Sequence, residues 1–306
     1  MKISKFLSSI MSFLDRVRFR RQILILQNQV IALKTDNLEL DYAKNFYYKE
    51  SYNMKLQLEV MRDINKSGSH SKLIDFLFEH HEKSKSQLLQ DIVAAFLFKD
   101  KDFAFFVEFG AADGMELSNT YFLEKSLKWR GLLAEPSRSW HQQLQQNRNC
   151  QIDFRCVWSQ SREILDFQET SDLMLSTVKD FIPSDLLAPF RVAGNTYQVE
   201  SVSLKDLLIE SKAPKYIEFL SIDTEGSEFQ ILKSFDFDLF TFGAIVVEHN
   251  FTPSRIPIRE LLVSKGYLLF LENLTKWDDW YISPETYRKY HDLELSRSIP
   301  NKENLQ

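Results

Sequence analysis

The feature that most constrains the fold of this chain is an apolar run followed by a glycine turn, residues 103–114, FAFFVEFGAADG. The run lacks the polar alternation of a half-exposed strand and is typical of a strand buried on both faces of a parallel sheet. Glu108 lies near its end, and Gly110 and Gly114 follow before a helical pattern. Ligands bind at this edge of open α/β sheets. The segment therefore predicts a ligand site, the alternative being a tight turn without a ligand.

The sequence of this turn limits the class of ligand. It contains no GxxxxGK[ST], which disfavours a P-loop, and its glycines are spaced GxxxG rather than GxGxxG. An acid before the glycines would repel a pyrophosphate but suits a ligand that carries an ammonium group. Glu135 ends a second apolar strand, where Rossmann-type sites bind ribose hydroxyls. A nucleoside with an amino-acid tail, such as S-adenosylmethionine, fits these features better than NAD or ATP.

Further short apolar segments predict the rest of an α/β sheet. They are residues 131–135, 151–158, 216–222, 241–247, 266–271 and 277–282. Residues 159–202 contain two prolines and a glycine and predict a hairpin or lid inserted beside the site. Ser137 and Ser203 are predicted N-caps of the helices that follow them.

Two of these predicted strands end in polar residues. The residues are Asp223, Glu225 and Glu228 after the strand at 216–222, and Glu248, His249 and Asn250 after the strand at 241–247. Clustered carboxylates are costly unless a positive group lies among them. The alternative, acids at a helix N-terminus, explains Glu225 and Glu228 better than Asp223.

These polar residues suggest two mechanisms. If the two strands are parallel neighbours, Asp223 faces the polar group after the second strand. The ordinary pKa of His249 suits a general base near neutral pH, although the ring could instead pack in the core. We predict Asp223, His249 and Glu225 as catalytic residues. Alternatively, Asp223, Glu248 and Asn250 bind Mg²⁺, which would acidify a bound hydroxyl, in an arrangement similar to that of catechol-type O-methyltransferases.

Three segments resemble the FkbM-type family of S-adenosylmethionine-dependent methyltransferases. They are FVEFGAADGMELSNT, GLLAEPSRSWHQQLQQN and FLSIDTEGSEFQILKSFDF, and the resemblance runs from Phe103 to Tyr287. It implies a class I methyltransferase fold, a Rossmann-like, seven-stranded, mostly parallel sheet. It also implies methyl transfer from S-adenosylmethionine, usually to oxygen, with a saccharide or another hydroxylated metabolite as acceptor.

The resemblance also implies a set of cofactor-binding residues. They are Glu108, Gly110, Ala111, Gly114 and Asn119 at the methionine end of the cofactor, Glu135 at its ribose, and Asp223. Glu108 departs from the aspartate that is more frequent in the family.

The first 64 residues contain neither glycine nor proline and predict an almost continuous helix outside this resemblance. Apolar residues recur with heptad spacing and predict a coiled coil over residues 22–62 that forms homo-oligomers, the alternative being a long helix folded on the catalytic domain. Residues 1–21 are basic and amphipathic, and they would contact an anionic membrane surface or pack on protein.

The polar residues 65–71 predict a hinge after the helical region, which we assign to residues 1–64. A methyltransferase domain then covers residues 72–290, with two leading helices at 72–99 and a core at 103–287. Residues 291–306 predict a disordered polar tail.

Composition limits the partners and the compartment. A net charge of −5 and 26% charged residues are ordinary for a globular protein, and no basic track suits nucleic acid. Cys150 and Cys156 lack a metal-binding spacing and favour a reducing, cytoplasmic location, peripheral to the membrane if residues 1–21 bind it. The alternative function is a non-catalytic, methyltransferase-like scaffold that acts through its coiled coil.

Overall fold

The computed structural model describes residues 38–179, 191, 193–272 and 274–295, without the side chains of residues 38–47 and 193. The predicted membrane-contact segment at 1–21 and the first part of the predicted coiled coil, to residue 37, lie outside the described residues. So does the end of the predicted tail, 296–306. Among the described residues, no helix is both long and apolar enough to cross a membrane.

The chain divides into two compact units, residues 1–59 and 60–306. Helix α1 (Leu38–Ser67) contains the boundary and ends at the predicted hinge. The next helix begins at Ser71, the last residue of the segment predicted as a hinge. In the second unit Val60, Met61 and Ile64 of α1 are buried. Met61, the last position of the predicted heptad pattern, therefore packs within the chain.

Seven strands of the described residues form the main sheet. They are β1 (Phe105–Phe109), β2 (Arg130–Ala134), β3 (Gln151–Asp153), β8 (Tyr216–Ile222), β9 (Thr241–Glu248), β10 (Leu268–Phe270) and β11 (Asp278–Ile282). Their order is β10-β11-β9-β8-β1-β2-β3. Strand β11 runs antiparallel to β9 and β10, whereas β9, β8, β1, β2 and β3 are mutually parallel. The predicted seven-stranded, mostly parallel sheet is confirmed.

Helices follow most of these strands. After α1 they are α2 (Ser71–His80), α3 (Gln90–Leu97), α4 (Tyr121–Lys125), α5 (His141–Asn147), α6 (Leu204–Glu210), α7 (Glu228–Ser234), α8 (Arg255–Ser264) and α9 (Pro284–Leu295). All five residues of β1 are buried, including Glu108, as the apolar residues around this acid predict, and β1, β8 and β9 contribute to one large core. The prediction of a disordered tail from residue 291 is wrong for residues 291–295, which continue α9.

A second, four-stranded sheet lies between β3 and α6 in the chain. Its strands are β4 (Cys156–Trp158), β5 (Ile164–Thr170), β6 (Thr177–Val178) and β7 (Ala193–Ser203), in the order β4-β7-β5-β6. The single predicted strand at 151–158 is therefore wrong, since β3 and β4 belong to different sheets. At the break between them Asp153 accepts hydrogen bonds from the backbone N–H and the guanidinium of Arg155. We refer to the described residues 156–179, 191 and 193–203 as the inserted sheet.

Two predicted helix caps have different outcomes. Ser203 caps α6, its hydroxyl accepting a hydrogen bond of 3.1 Å from the backbone N–H of Asp206. Ser137 does not cap α5, because its hydroxyl donates to Glu169 of the inserted sheet at 2.6 Å and the helix begins only at His141.

Candidate active site

The C-terminal ends of β1, β2, β8 and β9 lie at one edge of the main sheet, because these strands are parallel neighbours. Each end carries a buried or half-buried carboxylate. These residues are Glu108, Glu135, Asp223 and Glu248. The sequence prediction placed all four at strand ends, and the sheet order brings those ends together.

The glycine turn after β1 lies directly against the end of β8. The backbone N–H of Gly110 donates to Ala134 of β2 at 3.1 Å, and that of Asp223 donates to Phe109 of β1 at 3.3 Å. Gly110 has a φ of 71°, and a Cβ at this position would lie 1.8 Å from the carbonyl oxygen of Asp223. The turn thus presents bare backbone between two carboxylate-bearing strand ends.

Glu108 holds the loop that follows this turn. Its carboxylate accepts hydrogen bonds from the Ser118 hydroxyl at 3.0 Å, the Asn119 backbone N–H at 2.7 Å and the Thr120 hydroxyl at 2.5 Å. These contacts occupy Ser118–Thr120, which explains why α4 begins only at Tyr121. The carboxylate of Glu108 therefore fixes the shape of the loop.

Arg148, which the sequence analysis did not identify, follows α5 and contacts the same loop. Its fully buried guanidinium donates to the carbonyl oxygen of Gly114 at 3.0 Å and to Glu124 at 2.5 Å, and it lies 3.6 Å from Glu108. A Cβ on Gly114 would lie 2.7 Å from Cγ of Arg148. The sequence around Arg148 does not distinguish a buried arginine at the end of an amphipathic helix from an exposed one.

Glu135, at the end of β2, accepts two backbone hydrogen bonds. The N–H groups of Ala112 and Ser137 each donate to one of its oxygens at 2.8 Å. Burial raises the pKa of Glu135 to about 7, an effect that these two hydrogen bonds oppose. A carboxylate has about four acceptor positions, so two remain for a ligand.

Asn119 has one side-chain atom without a partner. Its amide nitrogen donates to the Ser221 hydroxyl at 2.9 Å, while its buried oxygen Oδ1 has no hydrogen-bond partner among the described residues. Ala111, another predicted cofactor residue, is buried, and its carbonyl accepts from the N–H of Gly114 at 2.7 Å. A buried acceptor without a donor is a position where a ligand N–H would be favourable.

Three carboxylates meet between β8 and β9. Oxygens of Asp223, Glu225 and Glu248 all lie within 4.8 Å of one another. Burial and the neighbouring negative charges raise the pKa of Glu248 well above its usual range, and burial also raises that of Asp223. Asp223 and Glu248 also hydrogen-bond to each other, so the two carboxyl groups act as a pair.

Glu225 also contacts the inserted sheet. Its carboxylate accepts from Nη2 of Arg191, and its carbonyl oxygen accepts from the Thr177 hydroxyl at 2.9 Å. Burial and the charge of Asp223 raise the pKa of Glu225, and the Arg191 guanidinium opposes this shift. Sequence reasoning identified neither Arg191 nor Thr177, since nothing in the local pattern links an inserted segment to a distant strand end.

Glu228 has the structural role that helix-terminal acids predict. Its carboxylate accepts from the backbone N–H groups of Thr224 and Gly226, each at 3.0 Å, at the start of α7. Asp278, opposite Glu248 in the register of β11 and β9, accepts from the Gln90 side chain at 2.6 Å. Burial raises the pKa of Asp278 to about 7. Both acids add to the negative charge of this edge.

His249 follows Glu248, and one of its two ring nitrogens forms a hydrogen bond among the described residues. Its Nδ1 accepts from the backbone N–H of Phe251 at 3.0 Å, whereas its buried Nε2 has no hydrogen-bond partner there and lies 3.6 Å from Asp279. Burial lowers the pKa of His249, and the charge of Arg255 adds to this effect. Asn250 has a φ of 44° and donates its backbone N–H to the carbonyl of Trp277 at 3.2 Å.

Comparison with known protein families identifies the family to which this chain belongs. Residues 108–278, more than half of the chain, match the methyltransferase FkbM domain. The chain belongs to the FkbM methyltransferase domain family. Family and site together support a methyltransferase function. Comparison with curated proteins finds no match.

Solved methyltransferases show only distant similarity. Methyltransferase FkbM from Methylobacillus flagellatus is 15% identical, with a TM-score of 0.38 over 59% of this chain and 44% of that one. Precorrin-6y C5,15-methyltransferase from Geobacter metallireducens is 13% identical, with a TM-score of 0.33 over 63% of this chain and 85% of that one. The chain thus spans less than half of the first structure.

Proposed function

We propose that the protein transfers a methyl group from S-adenosylmethionine to a hydroxyl group of a saccharide or another hydroxylated metabolite. The observation that carries the proposal is the set of carboxylates with raised pKa around the bare Gly110 turn. Buried acids of this kind are stabilised by a cation, and S-adenosylmethionine carries two, a sulfonium and an ammonium group. Membership of the FkbM methyltransferase domain family supports methyl transfer.

The residues present fit this cofactor at three positions. Glu135 has two free acceptor positions for the two ribose hydroxyls. Asn119 offers an unpartnered Oδ1 to the ammonium group, in the loop that Glu108 fixes. Gly110 allows the backbone to approach the ligand closely. Bound S-adenosylmethionine would supply a methyl group on a positively charged sulfur, ready for transfer to a nucleophile.

The proton of the acceptor hydroxyl would pass to the carboxylates of this edge. The Asp223–Glu248 pair, with its raised pKa, can accept a proton near neutral pH. Oxygens of Glu225 lie within 4.8 Å of those of the pair, so the charge of Glu225 adds to the rise in the pKa of Glu248. The ring of His249 uses Nδ1 within its own loop and directs Nε2 towards Asp279. We therefore assign the role of base to the pair ahead of the histidine.

Magnesium is a second candidate for the activation of the hydroxyl. Asp223, Glu225 and Glu248 are spaced closely enough to share a cation, and carboxylate oxygens are suitable ligands. Arg191 already contacts Glu225, which leaves Asp223 and Glu248 as the available donors. Calorimetric titration with MgCl₂, repeated on Asp223→Asn, tests this option. Heat that persists in the variant would place the ion elsewhere.

Calorimetric titration of the full chain with S-adenosylmethionine and S-adenosylhomocysteine tests the proposed function. We expect a single site with micromolar or tighter affinity for the methyl donor. Loss of binding in Asp223→Asn, with binding retained in the exposed control Asp166→Asn, would place the ligand at this edge. Absence of binding to the wild-type chain would favour the non-catalytic scaffold that acts through the N-terminal helix. Light scattering then tests the proposed homo-oligomer independently.

A further inference from the structure

One arginine of the inserted sheet reaches the acidic edge of the main sheet. Arg191 lies two residues before β7, and its side chain is completely buried. Its guanidinium contacts Glu225, which lies within 4.8 Å of the oxygens of Asp223 and Glu248. A second module of the fold thus supplies a positive charge to the candidate active site.

The inserted sheet also holds the backbone of this loop. The hydroxyl of Thr177, in β6, donates to the carbonyl oxygens of Glu225 at 2.9 Å and Thr224 at 3.4 Å. Glu225 has a φ of 57°, a left-handed conformation that a residue with a side chain adopts only when its surroundings hold it. The same loop begins at Asp223, whose carbonyl packs against Gly110. A continuous set of contacts therefore links the inserted sheet to the glycine turn.

The charges around Glu225 explain why a cation is needed at this point. Asp223 and Glu228 face it from the loop after β8, and Glu248 faces it from the end of β9. Asp278 in β11 and Glu108 in β1 add negative charge around Asp223. Arg148 lies beside Glu108, and Arg191 lies beside Glu225. Each buried arginine thus offsets the charge of one acid of this edge.

We propose that Arg191 is a positioning residue through which the inserted sheet sets both the geometry and the net charge of the acidic edge. By pairing with Glu225, it leaves Asp223 and Glu248 as the carboxylates that face a cationic ligand. This inference rests on the proposed function for the identity of that ligand, but not for the charge arrangement itself. The fold of the insertion and the charge of the site are therefore coupled.

Thermal unfolding at a single pH tests the Arg191–Glu225 contact without any ligand. Removal of the Arg191 charge leaves the carboxylate of Glu225 buried among other acids without its cation. We expect Arg191→Gln to lower Tm by about 5 °C or more relative to the wild type.

Three further variants separate charge from packing. Arg191→Lys keeps the cation and should restore most of the wild-type Tm. In the Glu225→Gln background, Arg191→Gln should lower Tm by much less, because no carboxylate is left without its cation. Arg259→Gln removes an exposed ion pair with Glu272 and should leave Tm within about 1 °C of the wild type. Equal Tm values for wild type and Arg191→Gln, or equal losses in Arg191→Gln and Arg191→Lys, would overturn the proposal.

The affinity for S-adenosylmethionine, measured by calorimetry at the same pH, tests the link to the ligand. Because Arg191 holds Glu225 beside Asp223 and Glu248, we expect Arg191→Gln to weaken binding by about tenfold or more, and Arg191→Lys to recover most of the affinity. Unchanged affinity in Arg191→Gln would remove Arg191 from the positioning of the ligand. A wild-type chain that does not bind would refute the proposed function, while the unfolding data would still decide the role of Arg191.

Discussion

A Cβ on Gly110 would lie 1.8 Å from the backbone carbonyl oxygen of Asp223. Residues 110 and 223 are far apart in the chain, yet the ends of β1 and β8 meet at this contact with no room for a side chain. The candidate site exists because two parallel strands deliver a glycine and an acid to the same point. The contact therefore decides both the stability of the edge and the space that a ligand can use.

Gly110→Ala should destabilise the protein by about 3 kcal/mol or more, because it adds a backbone clash to a left-handed conformation. Denaturant unfolding measures the loss. Gly266→Ala is the matched control, since Gly266 also has a positive φ, 88°, but nothing lies within 4 Å of its added Cβ. This control should lose only about 1 kcal/mol. Equal losses in the two variants would show that the Asp223 contact is unimportant.

Glu135 should make cofactor binding depend on pH. Its pKa is raised to about 7, and ribose hydroxyls donate to the ionised form, so affinity for S-adenosylmethionine should increase as the pH rises through neutrality. Glu135→Gln should weaken binding by about tenfold or more and reduce this dependence. Calorimetry at several pH values measures both effects. Unchanged affinity would remove Glu135 from the proposed ribose site.

Much of this fold could be predicted because the buried strands have simple sequences. Segments such as residues 216–222 are mostly apolar, and the acids of the site fall immediately after them. The parallel order of the strands then fixes which acids become neighbours. The sequence prediction fails where a single local contact changes the direction of the chain. The Asp153–Arg155 contact lies at the break between β3 and β4, which the apolar pattern of residues 151–158 could not indicate.

The side-chain contacts of the site were harder to predict than its location. Glu108 and Glu228 fall at expected positions, yet both bind their own loops, and only three-dimensional packing reveals which acid keeps free acceptor positions. Arg148 and Arg191 come from segments with no distinctive pattern. Their partners are distant in the chain, so sequence spacing contains no information on them. The direction of the His249 ring is likewise decided by Phe251 and Asp279.

Replacement of Arg148 should be among the more damaging changes outside the apolar core. Arg148→Met leaves the buried carboxylate of Glu124 without its fully buried cation and should cost about 3–5 kcal/mol in denaturant unfolding. Lys125→Met is a matched control, because Lys125 contacts the same carboxylate at 3.4 Å from a partly exposed position. Its loss should stay below about 1 kcal/mol. Similar losses would contradict a special role for Arg148.

The Glu124 carboxyl makes the stability that the Arg148–Glu124 pair contributes depend on pH. Burial would raise its pKa, but the charge and hydrogen bond of Arg148 outweigh burial and lower it. Stability from such a group is present above the unfolded pKa and is lost as the pH falls through the folded pKa. In Arg148→Met this acid-dependent loss should disappear.

His249 should affect stability in acid without taking part in cofactor binding. Burial lowers its pKa, so it stabilises the fold above its unfolded pKa of about 6.5 and loses this stability as the pH falls through the folded value. His249→Gln should therefore lose less stability than the wild type between about pH 7 and about pH 5. Because the ring faces Asp279 and Phe251, affinity for S-adenosylmethionine should stay within about twofold of wild type.

The same variant discriminates between the two candidate bases. If the Asp223–Glu248 pair accepts the proton, His249→Gln keeps most of its methyl-transfer rate while Glu248→Gln loses it. If His249 is the base, His249→Gln should lose about 10²–10⁴ in rate with unchanged cofactor affinity. A rate measured with saturating S-adenosylmethionine separates these outcomes from a binding defect. Loss of rate in His249→Gln but not in Glu248→Gln would identify His249 as the base and leave the carboxylate pair to bind the cation.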